Sequence, residues 1–294
     1  MNTIRTHARH RGHLSNALGI GLLWTIASIV ALLFLGIIAY IMWEGVQYLF
    51  DPVFYGTREY GIGRELFNTL YLLILSQVLL LPIALGAAIY LTEYARTRAL
   101  VDAIHFAAET LASVPSLVLG LFGVLIFVSY FGLGTSRIAG ALALVCLNLP
   151  FALRLFENAI TAVPHELREG AYALGATTWH TIWTIVLPSA LPDIVTTTIL
   201  TSNRVIGESA VLLFTMGLFS PANSLTLDWS LPGATLTTHL YNVTGPGAGT
   251  TGLSMHQEMI VTAGSAALLI TVILLFNIFA RVIGHAVSKS LAAE

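Results

Sequence analysis

Two side chains of opposite charge, Arg204 and Glu208, lie within a long apolar stretch that contains the segment TSNRVIGESAVLLFTMG. If this stretch crosses a membrane, each lone charge costs about 2.5–3.5 kcal/mol on insertion scales, so such residues normally face a partner or a water-filled path. A guanidinium binds a tetrahedral oxyanion such as phosphate, sulfate or molybdate through two parallel N–H donors. A neighbouring carboxylate can accept a hydrogen bond from hydrogen phosphate, whereas fully ionised sulfate has no proton to donate. The pair is therefore a candidate anion site that favours phosphate.

Helical spacing relates this pair to further polar residues. Residues four apart share a helix face, so Arg204 and Glu208 are expected to be able to pair. Thr197 and Thr201 extend that face, which predicts a polar stripe directed away from lipid. Gln77, in another apolar segment, either lines the same path or bonds across helices. The alternative for the charged pair is a neutralised ion pair that only fixes helix packing.

The composition is that of a membrane protein. Hydrophobic residues make up 56% of the chain, charged residues only 10%, and the mean hydropathy is +0.83. A net charge of −2 without a basic patch gives no sign of nucleic-acid binding. The single cysteine, Cys146, excludes an intrachain disulfide, and the histidines of the loops lack the spacing of metal ligands. No metal and no cofactor are predicted.

Six apolar runs are long enough to cross roughly 30 Å of hydrocarbon as helices. They cover about residues 18–43, 67–91, 111–131, 138–156, 192–218 and 258–283. The predicted fold is therefore an all-α polytopic membrane protein with six transmembrane helices. Pro115 is expected to loosen the start of the third run. Arg154 and Glu157, near the end of the fourth run, are expected to snorkel to the membrane interface.

The distribution of basic residues predicts the orientation. With the N-terminus inside, the cytoplasmic segments contain Arg5, Arg9, Arg11, Arg96, Arg98, Arg154, Arg168, Arg281 and Lys289. The outside segments contain only Arg58, Arg64 and Arg137. Both termini are thus expected in the cytoplasm, with residues 1–17 as an N-terminal tail and residues 18–66 as the first helix and an external loop. The histidines of the tail, His7, His10 and His13, alternate with arginines, which indicates a basic membrane flank or, alternatively, a metal-binding tract.

A polar segment between the fourth and fifth runs, residues 165–188, falls on the cytoplasmic side by this count. From Glu169 onward it reads EGAYALGATTWHTIWTIVLP. Pro164 and Gly175 predict the start and the end of a short helix. A second amphipathic turn is expected to end at a break at Leu187–Pro188. Small residues along the segment allow another backbone to approach closely, and the alternative is a helix that lies on the lipid headgroups.

The spacing of this segment resembles the EAA loop, EAA-x3-G-x9-I-x-LP, of the membrane subunits of ATP-binding-cassette (ABC) importers. The matching residues are Glu169, Ala171, Gly175, Ile185, Leu187 and Pro188, and the sequence departs from the pattern at Gly170, where the family has an alanine. The resemblance implies a type I importer permease fold, also called MetI-like, for residues 67–290. It also implies that the loop docks in a groove of a cytoplasmic ATPase subunit. The residues assigned to that contact are Glu169, Gly170, Ala171, Leu174 and Gly175.

A narrower resemblance is to PstA-type permeases of phosphate importers. It is carried by Arg-x-x-Gly-Glu-Ser-Ala from Arg204, VPSLVLGLFG at residues 114–123, Leu149-Pro150, Arg154 and Ala162-Val163-Pro164. The sequence departs from that family at Val211, where proline is frequent. The resemblance implies import of inorganic phosphate across the cytoplasmic membrane, with Arg204 and Glu208 taking part in its passage. The implied partners are a PstC-type second permease, a pair of PstB-type ATPase subunits, an external PstS-type phosphate-binding protein and membrane lipid.

The sequence contains no phosphate-cradling G-x-x-x-x-G-K-[ST] motif, and its one lysine is Lys289. If ATP drives transport, another polypeptide must hydrolyse it, and the chain is predicted not to be an enzyme. The alternatives are a permease for another oxyanion (sulfate, molybdate or phosphonate), an ATP-independent carrier, and a sensor or assembly subunit. A carrier that works alone has no use for an EAA loop. The loop of residues 219–257 is expected either to meet the external binding protein or to be a flexible surface segment.

Overall fold

The computed structural model describes the backbone of residues 3–57, 61–245, 247–249 and 252–292. Side chains are described in these ranges from residue 16 onward, apart from 17, 280, 283 and 285–292. Some residues used above for orientation or for the metal-binding alternative therefore lie outside the description. They are Arg58 and the side chains of Arg5, Arg9, Arg11, His7, His10, His13 and Lys289.

Eleven α-helices make up the secondary structure of the described residues, together with a few shorter helical turns. The helices are α1 (Thr3–Gly45), α2 (Gly63–Ile89), α3 (Arg98–Ser113), α4 (Ser116–Gly123), α5 (Arg137–Thr161), α6 (His165–Ala173), α7 (Thr178–Thr181), α8 (Leu187–Gly207), α9 (Ala210–Thr215), α10 (Leu236–Thr244) and α11 (Met255–Ala292). A 3₁₀ helix follows α1 at Val46–Phe50. Turns of π-helix follow α2, α4 and α7, at Tyr90–Tyr94, Val124–Tyr130 and Ile182–Val186.

Helix length and composition confirm the all-α polytopic fold. Five segments are long and apolar enough to cross a membrane: Leu18–Phe50, Gly63–Tyr94, Arg137–Thr161, Thr178–Gly207 and Met255–Phe279. Arg98–Ser113 and Ser116–Tyr130 are together apolar enough for a sixth crossing but are bent by 100° at the break between them. The predicted number of spans is thus reached when this bent pair counts as one span.

Several span boundaries differ from the prediction, and the fifth span, predicted as residues 192–218, runs from Thr178 to Gly207. Two of the differences occur at prolines. Val114 and Pro115 have extended backbones, with ψ of 129° and 138°, because proline disfavours the helical conformation of the residue before it. Residues from Leu111 to Ser113 therefore belong to α3, and the next helix, α4, begins at Ser116. The expected break at Leu187–Pro188 is wrong: π-helical turns precede Pro188 and carry one helical segment from Thr178 to Gly207. Such wide turns accommodate a proline within a membrane helix.

Helices α2, α5 and α8 form the centre of the bundle. One cluster of buried apolar residues includes Leu80, Ala84, Ala152, Phe156, Val186 and Ala190. A second cluster includes Leu72, Leu144, Val205 and Leu212. Gln77, Asn148 and Thr201 lie between these two clusters along their own helices, and all three are buried. We call these three residues the polar layer, and it divides the apolar core of the bundle into two parts.

Helix α1 lies at the edge of the bundle. In its most apolar window 0% of the residues are buried, which is the surface expected for a helix in contact with lipid or another subunit. It approaches α11 closely at Gly45, where an added methyl group would overlap the carbonyl oxygen of Ala263 and come within 2.5 Å of the Ala267 Cβ. Small residues permit this close approach of two helix backbones.

Candidate functional site

Helix α8 ends just before the second charged residue of the predicted pair. Its last residue is Gly207, a poor helix former, and Glu208 has extended backbone with φ of −78° and ψ of 130°. The prediction that Arg204 and Glu208 share one helix face is therefore wrong. Glu208 Oε1 instead accepts hydrogen bonds from the backbone N–H groups of Ala210 and Val211, at 3.0 and 3.4 Å. The carboxylate thus caps the first turn of α9, where the free N–H groups favour negative charge.

Arg204 lies on an exposed face of α8. Its guanidinium carbon is 5.2 Å from the centroid of the Phe151 ring, a cation–π distance. The ion pairs of the described residues do not include one between Arg204 and Glu208. Exposed positions recur along this face of the helix as Asp193, Thr196, Leu200, Arg204 and Gly207. The arginine therefore lies on the exposed side of α8, with its guanidinium beside Phe151 of α5.

The threonines of the predicted stripe lie inside the bundle instead. Thr197 and Thr201 are only 4% and 0% exposed. Gln77 Nε2 donates hydrogen bonds to the hydroxyl oxygens of Thr201, at 3.3 Å, and Ser202, at 2.9 Å. The prediction of one stripe through 197, 201, 204 and 208 is wrong, because Arg204 falls on the exposed side of α8 and the helix ends before Glu208. The structure does bring Gln77 and Thr201 together across α2 and α8, and a part for either in a transport path stays a prediction.

The loop with the EAA-like pattern begins with the expected short helix. Helix α6 starts directly after Pro164, and Gly175 follows its end with a φ of 83°. Glycine adopts this left-handed conformation without the Cβ clash that other residues suffer, which confirms the predicted end of the helix. In the second part of the loop, Trp179 packs against Trp183 with ring centroids 5.4 Å apart.

Helix α6 presents most of the residues of the predicted ATPase contact to the outside. Glu169, Gly170, Leu174 and Gly175 are exposed, and Leu174 retains 91% of its accessible surface. We call these four residues the exposed face of the loop. Ala171, the fifth predicted contact residue, is buried and 6% exposed, so it packs inward in this chain. Whether the exposed face binds an ATPase stays a prediction.

Arg168 lies directly before this face, and its structural role was missed in the sequence, where only its charge was counted. Its Nε and Nη2 donate to Glu93 Oε1 at 3.1 and 2.8 Å. Its Nη1 donates to the carbonyl oxygen of Val163 at 2.6 Å, and Nη2 also donates to that of Ile160 at 2.9 Å. The side chains of the ion pair are 9% and 7% exposed. The signal in the sequence was Glu93, an acidic residue at the end of the second span.

An ion pair and a neighbouring hydrogen bond join α3 to α5. Arg154 is exposed and pairs with Glu109. Glu157 is buried, and its Oε1 lies 2.9 Å from His105 Nε2. The prediction that both residues snorkel is therefore wrong for Glu157, because a histidine on α3 supplies its polar partner inside the protein.

Arg137 organises the opposite end of the bundle, and sequence reasoning counted it only as an outside charge. It is fully buried at the N-terminus of α5. Its guanidinium lies 5.1 Å from the ring centroid of Tyr71 and 5.7 Å from that of Phe67. It donates hydrogen bonds to three carbonyl oxygens of the long loop, those of Ser224, Thr226 and Asp228. This part of the loop is thus held against α2 and α5.

The same end carries two groups with shifted pKa values, both outside the membrane-spanning helices. Burial lowers the pKa of His239 on α10, and the charge of Glu65 opposes this in part. Hydrogen bonds from the hydroxyl and backbone N–H of Ser230 lower the pKa of Asp228. His239 is therefore uncharged at neutral pH and Asp228 is ionised.

Comparison with known proteins agrees with this architecture. Residues 81–292 match the family described as binding-protein-dependent transport system inner membrane component. The probable ABC transporter permease protein YqgI of Bacillus subtilis is 38% identical, over 96% of this chain and 99% of its own. The phosphate transport system permease protein PstA of Yersinia pestis is 35% identical, over 76% of this chain and 72% of its own. The solved bacterial alginate ABC transporter, in complex with an alginate pentasaccharide-bound periplasmic protein, shares the fold: its TM-score is 0.66 at 20% identity, over 92% of this chain and 95% of that one.

The chain belongs to the family of binding-protein-dependent transport system inner membrane components, and it is a multi-pass protein of the cytoplasmic membrane with an ABC importer permease fold. Within that family its relatives group it with the PstA-type permeases.

Proposed function

We propose that this chain is the membrane-spanning permease subunit of an ATP-driven importer that moves inorganic phosphate across the cytoplasmic membrane by alternating access. The observation that carries the proposal is the exposed position of Arg204 on α8. Arg204 lies beside Phe151, near the middle of α5, and a guanidinium that faced lipid there would be disfavoured, so we propose that its outward face meets another subunit or a water-filled path. A positive charge at such a boundary suits the passage of an anion.

Phosphate is the proposed substrate for two reasons. The PstA relatives are named as phosphate transport permeases, and their similarity covers the segment that contains Arg204. A guanidinium also offers paired donors to a tetrahedral oxyanion. Glu208 lies four residues further on, and we propose that its carboxylate favours hydrogen phosphate over sulfate by accepting the proton that only the former carries. One carboxylate oxygen, Oε1, already caps α9, so this role falls to Oε2.

The proposed partners follow from the surface of α6. The exposed face of the loop, with Glu169, Gly170, Leu174 and Gly175, would contact a cytoplasmic ATPase subunit, which hydrolyses the ATP. The permease itself carries out no covalent chemistry in this proposal. The complete importer would contain a PstC-type second permease, a pair of PstB-type ATPase subunits and an external PstS-type binding protein. ATP-driven closure of the ATPase pair would push on the loop of residues 165–188.

The test is uptake of labelled phosphate by proteoliposomes that contain the full complex, with and without ATP at the cytoplasmic face. Arg204→Gln is expected to lower uptake about tenfold or more, since a hydrogen bond to a charged group contributes about 1.5–3 kcal/mol. Arg98→Gln removes one positive charge from an exposed site on α3 and serves as the matched control. Equal uptake by the Arg204→Gln and control complexes would refute the path.

Competition experiments test the substrate separately. Excess sulfate or molybdate should leave phosphate uptake unchanged in the wild-type complex. Glu208→Gln is expected to reduce uptake or to weaken the discrimination against sulfate. If the wild-type complex hydrolyses ATP in response to its binding protein but takes up no phosphate, the substrate is another solute. If Glu208→Gln changes neither uptake nor selectivity, the proposed role of this carboxylate is wrong.

A further inference from the structure

The guanidinium of Arg168 connects three parts of the membrane domain. It is carried by α6, it forms two hydrogen bonds with Glu93 beyond the end of α2, and it donates to the carbonyl oxygens of Ile160 and Val163 at the end of α5. The last carbonyl groups of a helix have no partner within the helix, and a cation there is favoured by the helix dipole. Arg168 therefore satisfies groups of both spans at once.

The direction of these contacts distinguishes Arg168 from its neighbours on α6. Glu169 and Gly170 are exposed, whereas the side chain of Arg168 is 9% exposed and its hydrogen bonds all go to the membrane domain. An arginine turned inward in this way is unavailable to a protein that docks on the exposed face. Its position is suited to connecting the exposed face of the loop to the membrane domain.

An electrostatic cost opposes the separation of Arg168 from Glu93. Removing one member of a buried ion pair leaves an uncompensated charge in a region of low dielectric, which is strongly unfavourable. Helix α6 is therefore restrained from moving away from Glu93 and from the end of α5. The Arg154–Glu109 ion pair and the His105–Glu157 hydrogen bond hold α3 against α5 at the same end of the bundle. Together these contacts connect α2, α3, α5 and α6.

We propose that the Arg168–Glu93 pair transmits the movement of the EAA-like loop, residues 165–188, to the membrane-spanning helices. We call this loop the coupling loop. Arg168 is thus a positioning residue for transport: it touches neither the ATPase nor the substrate, and it couples one to the other. The inference rests on the proposed function in one respect, that an ATPase pushes on this loop. It does not depend on the identity of the solute.

The first test measures phosphate uptake and ATP hydrolysis together in proteoliposomes that contain the complete importer. Arg168→Gln and Glu93→Gln are expected to leave the ATPase bound and active while lowering the phosphate taken up per ATP about tenfold, within the usual range of coupling between sites. Glu166→Gln, an exposed position on the same helix, should keep the wild-type ratio. A wild-type ratio in Arg168→Gln would overturn the proposal. So would loss of ATPase binding, because it would assign Arg168 to the docking surface.

A second test restores the link by other means. Cys146 is the only cysteine of the chain, so Cys146→Ala gives a background for the double substitution Arg168→Cys and Glu93→Cys. A reducible bifunctional thiol reagent, long enough to replace the two side chains, is then used to join them. Uptake per ATP should rise when the reagent bridges both sites and fall again after reduction. No recovery in fully bridged protein would show that the pair acts in some way other than as a link.

A third measurement separates failure of this inference from failure of the substrate assignment. Gly207 is exposed near the end of α8, and a methyl group there meets no atom within 4 Å, so Gly207→Cys is sterically tolerated. In the Cys146→Ala background, ATP with vanadate should change the rate at which this thiol reacts with an impermeant maleimide. Arg168→Gln should abolish that change even if phosphate is not the solute. A change of the same size in Arg168→Gln would refute transmission through this residue.

Discussion

Substitution of Gly45 by alanine tests how α1 is attached to the bundle. The added methyl group would overlap the Ala263 carbonyl oxygen and lie 2.5 Å from the Ala267 Cβ, whereas carbon atoms pack at about 3.5–4.0 Å. Helix α1 must then move away by about 1 Å from a rigid backbone group on α11, which forfeits contacts along the seam. Overpacking of this kind costs about 1–3 kcal/mol.

Gly36→Ala on the same helix is the matched control. A methyl group at Gly36 has no atom within 4 Å, so only helix propensity changes, and alanine favours a helix interior over glycine by about 1 kcal/mol. The two substitutions are therefore expected to act with opposite signs. At about 2–4 °C per kcal/mol for a domain of 150–250 residues, Gly45→Ala should lower the melting temperature by a few degrees and Gly36→Ala should raise it slightly.

The assay is thermal unfolding of the purified protein in detergent, followed by tryptophan fluorescence, to which Trp24 and Trp43 on α1 contribute. Equal melting temperatures for Gly45→Ala and Gly36→Ala would refute the close packing of α1 on α11 at this point. A gain of stability in both variants would refute it as well, because alanine at position 45 would then fit without displacement.

Two other expectations concern the coupling loop and the opposite end of the bundle. Gly175→Ala forces a Cβ into a left-handed backbone (φ 83°), which strains the chain by about 1–2 kcal/mol. The dissociation constant of the ATPase for the loop should therefore rise about fivefold or more. An unchanged dissociation constant would mean that this conformation is not used in docking. Burial lowers the pKa of His239, so the unfolded chain binds more protons than the folded one at acidic pH. The stability contributed by the neutral histidine is present above the ordinary pKa of 6.5 and is lost as the pH falls below it. The melting temperature should therefore drop less between pH 7.5 and 5.5 in His239→Gln than in the wild type, and equal drops would contradict this account.

Five of the six predicted spans were predictable because their apolar runs are long, so that a helix through each of them is long enough to cross the membrane. The boundaries that failed depend on single residues. Pro115 was expected only to loosen a helix, yet it separates α3 from α4 by a bend of 100°. Pro188 is also a proline, yet it lies within a continuous helical segment, because π-helical turns precede it. Local sequence does not distinguish these two outcomes, since neighbouring helices decide which backbone groups find partners.

The candidate site was predictable in its residue types but not in its geometry. Arg204 and Glu208 stood out because charges are rare in apolar segments, and both lie at the point where α8 ends. Their separation follows from one residue, Gly207, after which the chain leaves the helix. Arg168 and Arg137 escaped notice because their partners are carbonyl oxygens or a carboxylate distant in sequence. Partners of that kind leave no spacing pattern in the chain.

The way in which Arg137 holds the long loop has an evolutionary consequence. Its hydrogen-bond acceptors there are main-chain oxygens, which every amino acid supplies, so the anchorage does not depend on the exposed side chains of the loop. Between these anchor points Leu225 and Leu227 project outward and are 51% and 76% exposed. Mutations at the two leucines can accumulate without disturbing the anchorage. Substitutions at the two leucines would thus change the chemistry of this surface while leaving its location on the protein unchanged.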